Sequence, residues 1–410
     1  MRLLRERDFR NFWLGQTISL FGDQVSLIAL PLAAVLVLDA GAADMGLLTA
    51  AAYAPHLLLS LPAGVWLDRV ARRLRVMIAA DIARALLFAS VPLAYALDVL
   101  TLGQLYAVAF LAGCLAVFFD ISFSTVYVAV TTRDRYVEAN SLLHGSRSFS
   151  FVAGPSTGGL LVQAFSAPFA LLADAVSFVV SALFLARIRA EEPALEEDTE
   201  SVRDRVRAGI DFIARSWFFR PTLASVATLN FFNFAFQALF VLFVTRELGV
   251  GAGTLGLVLG AGAVGGIVGA VVASRVGRLL GLGRAFMLGM VLFPAPLLLV
   301  PLADGPQSLV LAMLFAAEFL SGLGVMILDI NVGALMLAFT PHRLLSRATG
   351  TFRFVNYGVR PLGALLGGAL GSAIGLRPTL FIATGCALAG VLWLLPSQVP
   401  GVRDLPEEAA

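Results

Sequence analysis

The chain has 410 residues, of which 59% are hydrophobic and 14% charged, with a formal net charge of +2. So apolar a composition leaves too little polar surface to coat a soluble globule of this length. It excludes an ordinary soluble enzyme or nucleic-acid-binding protein and points to an all-α, polytopic membrane protein.

Apolar runs long enough to cross about 30 Å of hydrocarbon as helices fall at residues 12–38, 44–67, 75–97, 101–131, 140–165 and 168–189. After a polar interval they resume at 221–245, 254–274, 284–303, 307–339, 348–371 and 378–396. The pattern predicts twelve transmembrane helices in two six-helix bundles, residues 1–189 and 221–410, with 190–220 as a cytoplasmic linker. Within the linker an acidic run from Glu191 to Glu200 precedes Val202, Val206, Ile210, Ile213 and Trp217, which recur at helical spacing opposite Arg203, Arg207 and Arg215. Such a helix either lies on the anionic inner leaflet or spans solvent as a plain connector.

All 29 basic side chains are arginines, and they crowd the ends and every second loop, whereas the alternate loops hold only Arg246 and Arg377. The positive-inside bias then places both termini in the cytoplasm, with the chain in a bacterial inner membrane. The first span is too long for a cleaved leader and is expected to stay in the mature chain. Cys114 and Cys386 both fall inside apolar runs, so neither a disulfide framework nor a metal cluster is expected. No Gly-x-x-x-x-Gly-Lys loop is possible in a chain without lysine. An ion gradient is the expected energy source, with no cofactor, no nucleic-acid partner and a monomeric state.

The chain is also doubled. Leu111–Ile121 aligns with Leu320–Ile330 at an offset of 209, and Arg147/Arg353 and Pro155/Pro361 recur at 206. Two similar apolar halves of about 200 residues are the pattern of a transporter built from parallel repeats. Between the second and third spans, Gly64-x-x-x-Asp68-Arg69-x-x-Arg72-Arg73 carries a specific requirement. Asp68 sits at the negative pole of its own helix dipole and needs a positive partner, Arg72 or another helix's N-terminus. Gly64, one turn earlier, would let that helix approach closely.

The repeat and this loop together resemble the major facilitator superfamily over essentially the whole chain. Gly154-Pro155-Ser156-Thr157-Gly158-Gly159 resembles the core of that superfamily's antiporter signature. Arg7-Asp8-Phe9-Arg10-Asn11-Phe12-Trp13-Leu14-Gly15-Gln16 with Phe21-Gly22-Asp23 is similar to the drug:proton antiporter branch containing macrolide-efflux proteins and the enterobactin exporter. The resemblance implies a cytoplasmic latch formed by Gly64, Asp68, Arg69, Arg72 and Arg73, and a gating role for Gly154 and Pro155. Two departures stand out: the arginine that many drug:proton antiporters carry in helix 4 is missing, and Ser274 occupies the aspartate position of the second loop copy.

Polar residues inside the spans form stripes at helical intervals: Gln16, Ser19, Asp23 and Ser26; Asp120, Ser124, Tyr127 and Thr131; Asn230, Asn233 and Gln237; Glu318 and Asp329. The last two, eleven apart, share a face about 16 Å from each other. The superfamily resemblance implies that these four helices surround one cavity. A carboxylate at mid-span costs about 2.5 to 3.5 kcal/mol unless paired, hydrated or protonated. With no arginine evident at their depth, Asp23 and Glu318 are the expected proton carriers or anchors for a cationic substrate, although Glu318 reads equally well as a hydrogen-bonded structural acid. Symmetry suggests ion pairs Asp120–Arg147 and Asp329–Arg353 as internal braces or gates; Asp81 and Arg84, three apart, suggest a local pair. Asp174 is expected to be structural. One or two members of the cluster Phe231, Phe232, Phe234, Phe236 and Phe240 are expected to reach the cavity.

The expected function is proton-driven export of an amphipathic organic compound by alternating access. A proton symporter importing a small metabolite, and a sensor or lipid-handling protein that keeps the fold without transport, are the alternatives.

Overall fold

A computed structural model describes residues 3–67, 69–70, 72–190, 202–341 and 344–403. Among these the chain is helical throughout its apolar runs, and nine helices are long and apolar enough to cross a bilayer. In the first half the helices are α1 (Arg7–Val37), α2 (Ala42–Leu67), α3 (Arg73–Ala96), α4 (Leu102–Ala129), α5 (Tyr136–Phe165) and α6 (Ala167–Leu185). After α7 (Val202–Arg215) in the linker come α8 (Phe219–Arg246), α9 (Ala252–Leu280), α10 (Leu282–Leu292), α11 (Leu299–Leu302), α12 (Gln307–Ala338), α13 (Leu345–Ile374) and α14 (Leu376–Ala389). α10 and α11 are one expected span, Leu282–Leu302, interrupted by a 3₁₀ turn over Ala295–Leu298. Pro294 and Pro296 cause the break, because neither can donate a backbone hydrogen bond.

The repeat is written into the backbone as well as the sequence. Three loops of the first half turn at residues with positive φ, Asp39 (53°), Asp98 (55°) and Ser166 (80°), and the second half answers with Gly249 (64°), Gly305 (93°) and Gly375 (90°). Each pair ends the same helix of its repeat. Glycine takes this conformation freely, whereas aspartate and serine hold it at a cost; at Asp39 and Asp98 the short polar side chain is among the types that tolerate it best.

By contacts the chain packs as two compact units: 1–198 with Val250–Gly260, and 199–249 with 261–410. In the first unit α1 packs on α5 and α6, α3 on α4 and α6, and α2 on α4. A core of Phe9, Phe12, Met77, Phe119 and Val126 closes one end, capped by the buried Leu3. The second unit repeats the scheme, α8 on α13 and α14, α10 on α12.

Membrane helices gain little from burying apolar surface against one another and rely on close backbone contact. In the second unit Gly265 of α9 fits against the Phe319 backbone, Gly324 of α12 against Leu292, and Gly363 and Gly367 of α13 against Phe231 and Ala235 of α8. A methyl at Gly363 would overlap the Phe231 carbonyl oxygen. Gly363→Ala is therefore expected to cost about 1–3 kcal/mol, read as a lower unfolding temperature of the detergent-solubilised protein. Gly64→Ala, with no described atom within 4 Å of the new methyl, should leave that temperature unchanged.

The linker helix α7 divides its apolar face. Ile213 is buried in the core of the second unit with Phe218, Phe219 and Val226, and Gly209 rests against Arg347 and Thr351 of α13. Ile210 remains exposed. The linker helix is thus docked partly on protein, with Ile210 left on its open face.

Candidate functional site

Inside the first unit lies a cavity of about 310 Å³. α1 supplies Gln16, Ser19, Asp23 and Gln24, α4 supplies Phe119 and Asp120, α5 supplies Arg147, Ser150 and Phe151, and α3 supplies Arg84. The polar stripe of α1 reaches this space because its residues recur every three or four positions and so share one face. The wall is charge-balanced, with two carboxylates against two guanidinium groups. Gln16 Nε2, Gln24 Oε1 and Ser150 Oγ are buried without a hydrogen-bond partner among the described residues, leaving a donor and acceptors free at the wall.

Arg84 organises one side. Its guanidinium donates to Asp81 Oδ1 at 2.6 Å and lies 3.9 Å from Asp23 Oδ1. It is sandwiched between Phe119 and Phe178, 4.7 and 4.3 Å from their ring centres. Asp81 is fully buried, whereas the Asp23 side chain keeps 42% of its surface open. The absence of an arginine at the depth of Asp23, expected from the sequence, is therefore corrected. The guanidinium comes from the neighbouring helix, over a reach that linear spacing does not show.

The remaining site residues distribute as follows. Ser26 is buried and faces α6. Ser124 bonds its own helix at Ile121 O (3.0 Å), and the Tyr127 hydroxyl meets Asn140 Oδ1 at 3.2 Å, so neither lines this cavity. Asp120 and Arg147 share the cavity wall, but among the described residues no ion pair within 4.0 Å joins them, nor Asp329 to Arg353. The cation whose field acts on Asp329 is Arg360, two helical turns beyond Arg353 on α13. It stacks over Tyr357 at 3.8 Å and Phe234 at 4.9 Å.

In the second unit Glu318 of α12 is buried against Gly262 of α9, with Oε1 unpartnered. Asn230 and Asn233 are half-buried and Gln237 is exposed. Asn230 turns back to Val226 O at 3.1 Å. Phe236 and Phe240 are buried and stacked at 5.7 Å, which leaves Phe231, Phe232 and Phe234 as the partly open members of the cluster.

The glycine-proline stretch of α5 adjoins the cavity directly. Gly154 rests on Gln24 and Gly158 on Val25 of α1, while Gly159 meets Gly256 in the segment Val250–Gly260 of the same unit. Of the loop between α2 and α3, Asp68 lies outside the described residues. Arg69 and Arg72 are exposed, and Arg73 donates to Thr125 Oγ1 of α4 at 2.5 Å. No described atom comes within 4 Å of where a side chain at Gly64 would begin.

Two six-helix halves with matching turns, each held together through glycine-lined contacts, define a helical membrane transporter of the major facilitator type. The chain belongs to the transmembrane secretion effector family of that superfamily, whose model matches residues 2–409. It is 28% identical over 406 residues to the multidrug efflux pump Tap of Mycolicibacterium fortuitum, covering 94% of this chain and 93% of that protein. Tap of Mycobacterium tuberculosis H37Rv is 27% identical over 420 residues, covering 94% and 91%. Among solved structures, a bacterial homologue of the iron transporter ferroportin in its inward-facing state superposes with a TM-score of 0.76 at 17% identity, covering 95% of this chain and 98% of that one. A point mutant of the nucleoside transporter NupG does so with 0.76 at 11%, covering 94% and 98%. At these identities the structures speak for the fold. The protein is thus a multi-pass membrane transporter and not an enzyme.

Proposed function

We propose that the chain is a secondary active exporter that exchanges protons for amphipathic organic compounds by alternating access, with Asp23 as the proton carrier. The observation that carries the reading is the pairing of Asp23 with Arg84 at the wall of the cavity, where one carboxylate is open and its partner cation is fixed from behind. The likeness to pumps named for multidrug efflux supports the direction of transport.

Ionised, Asp23 shares Arg84 with Asp81. Protonated, it releases its side of that contact and frees the cavity wall, leaving Arg84 on Asp81 alone. The change falls one residue from Gln24 and two from Val25, the surfaces on which Gly154 and Gly158 pack. Proton load is thereby transmitted to the proline-bearing segment at Pro155, where α5 gates the cavity. Gln16, Ser19, Ser150 and Asp120 offer hydrogen bonds and a negative charge to a cationic or neutral substrate, and Phe119 and Phe151 offer it an apolar wall. Arg147 and Arg353 act as gating cations in their two halves, and Glu318 is a second acid of the cycle. Asn230, Asn233, Gln237, Ser124, Tyr127 and Asp329 extend the polar surface. Gly64, Asp68, Arg69, Arg72 and Arg73 form the cytoplasmic latch of the cycle. Both termini are cytoplasmic in this reading, which the arginine distribution supports, and the bacterial relatives support an inner-membrane location.

Cells producing the chain should accumulate a cationic amphipathic dye such as ethidium to a lower level than cells without it, and a protonophore should erase the difference. Equal accumulation across a broad panel of such compounds, or a difference untouched by the protonophore, would remove the proposal.

A further inference from the structure

Asp174 lies on α6, outside the cavity lining, and is completely buried. One carboxyl oxygen, Oδ1, accepts a hydrogen bond from Ser177 Oγ at 3.0 Å. The other, Oδ2, is buried and accepts none. The Ser26 hydroxyl of α1 is likewise buried and faces this carboxyl, to which it can donate and from which it can accept. Gly22 makes the crossing tight, because a methyl there would overlap both the Ser177 hydroxyl and the Asp174 carboxyl. The next residue on α1 is Asp23.

The charges around Asp174 do not balance if all its neighbours are ionised. α1 brings Asp23, and α3 brings Asp81 and Arg84. α4 brings Asp120, and α5 brings Arg147 from the far side of the cavity. Arg147 can offset Asp120, which leaves Asp23, Asp81 and Asp174 around the single guanidinium of Arg84. That guanidinium is committed to Asp81 at 2.6 Å and to Asp23 at 3.9 Å. A buried carboxylate met only by the neutral hydroxyls of Ser177 and Ser26, with the nearby guanidinium already shared by two other acids, is disfavoured by desolvation. A protonated carboxyl in the same place gains an O–H, and the Ser26 oxygen stands ready as its acceptor.

We propose that Asp174 is a buried carboxylic acid that passes its proton to and from the cavity by way of Asp23. In the transfer the O–H bond at Asp174 Oδ2 breaks and one forms on the Asp23 carboxylate, so the pair holds one proton before and after and only its position changes. Arg84 cannot relay the proton, because it does not deprotonate, but it holds Asp23 within reach of the crossing. The inference deepens the proposed proton coupling and rests on it for its place in the transport cycle. The first unit would then store a proton out of contact with substrate and deliver it to the acid that meets substrate.

Infrared difference spectroscopy of the full chain in lipid tests this without transport. The wild type should show a protonated carboxyl C=O band that is missing in Asp174→Asn, and in D₂O this band should shift as the proton exchanges. Asp23→Asn should slow that exchange by about tenfold or more. Ser177→Ala keeps the carboxyl and removes its donor, so it should move the same band to higher frequency, which identifies the band even where Asp174→Asn folds poorly. A spectrum with no carboxyl band assignable to Asp174 by either variant would overturn the proposal. So would a band whose exchange is equally fast in Asp23→Asn. Failure of dye export with band and exchange both intact would instead sink only the export reading and leave this proton site in place.

Discussion

Asp23→Asn is expected to abolish proton-driven export while leaving substrate binding in place. The substitution keeps the shape of the side chain and its contact with the cavity but removes the cavity acid that lies 3.9 Å from the Arg84 guanidinium. One proton moving inward at 100 mV supplies about 2.3 kcal/mol, enough to hold a gradient of a neutral substrate of roughly 50-fold. Without a carrier that gradient should collapse toward equal concentrations, while downhill equilibration of substrate continues. Transport assays in energised vesicles measure the first quantity, and ligand titration of the purified variant measures the second. Undiminished pumping by Asp23→Asn would take the residue out of its role.

Arg84→Met should damage the protein more broadly. The guanidinium is buried between two phenylalanine rings and is the partner of Asp81 and Asp23. Removing one member of such a buried set leaves the opposite charges without compensation, at a cost of about 3–5 kcal/mol. The expected outcome is a large loss of folded protein or a much lower unfolding temperature in detergent. Acidic buffer should recover part of the loss, because protonation discharges the stranded carboxylates, and the recovered stability should vanish again as pH rises. Arg84→Lys keeps the charge but not the planar fork or the stacking surface, so it should fall between wild type and methionine. A methionine variant as stable as wild type at neutral pH would show that Arg84 is not the charge on which the bundle depends.

Much of the architecture was legible in the sequence, because in a bilayer every span must satisfy its own backbone and so announces itself as an apolar run. The doubling was legible for the same reason and reappears in the backbone as the matched turns at Asp39 and Gly249, Asp98 and Gly305, and Ser166 and Gly375. The interruption of Leu282–Leu302 was not read from the sequence, although Pro294 and Pro296 carried the signal for it.

The site was legible in part. Helical spacing alone gathers Gln16, Ser19 and Asp23 onto one face of α1, and the cavity lies on that face. Arg84 escaped as a cavity residue because its spacing to Asp81 offered a complete local explanation, and nothing in a linear chain says that a side chain paired within its own helix also meets α1. Asp174 was read as structural because its helix is of a type peripheral in this fold, yet its complete burial and the missing side chain at Gly22 opposite it are what set it apart. The Asp120–Arg147 pairing failed in a different way. Equal depth brings the two residues to one wall, but depth says nothing of rotation about the helix axis, which decides whether charges touch.

The account stands on coupling between substrate and proton, and proteoliposomes enclosing a pH-sensitive dye test it most directly. A transported amphipathic compound added outside should enter down its gradient and drive protons out, so the interior turns alkaline with wild-type protein and stays unchanged with Asp23→Asn. An interior that turns acidic as the compound enters, or one that does not change while the compound is carried across, would contradict it.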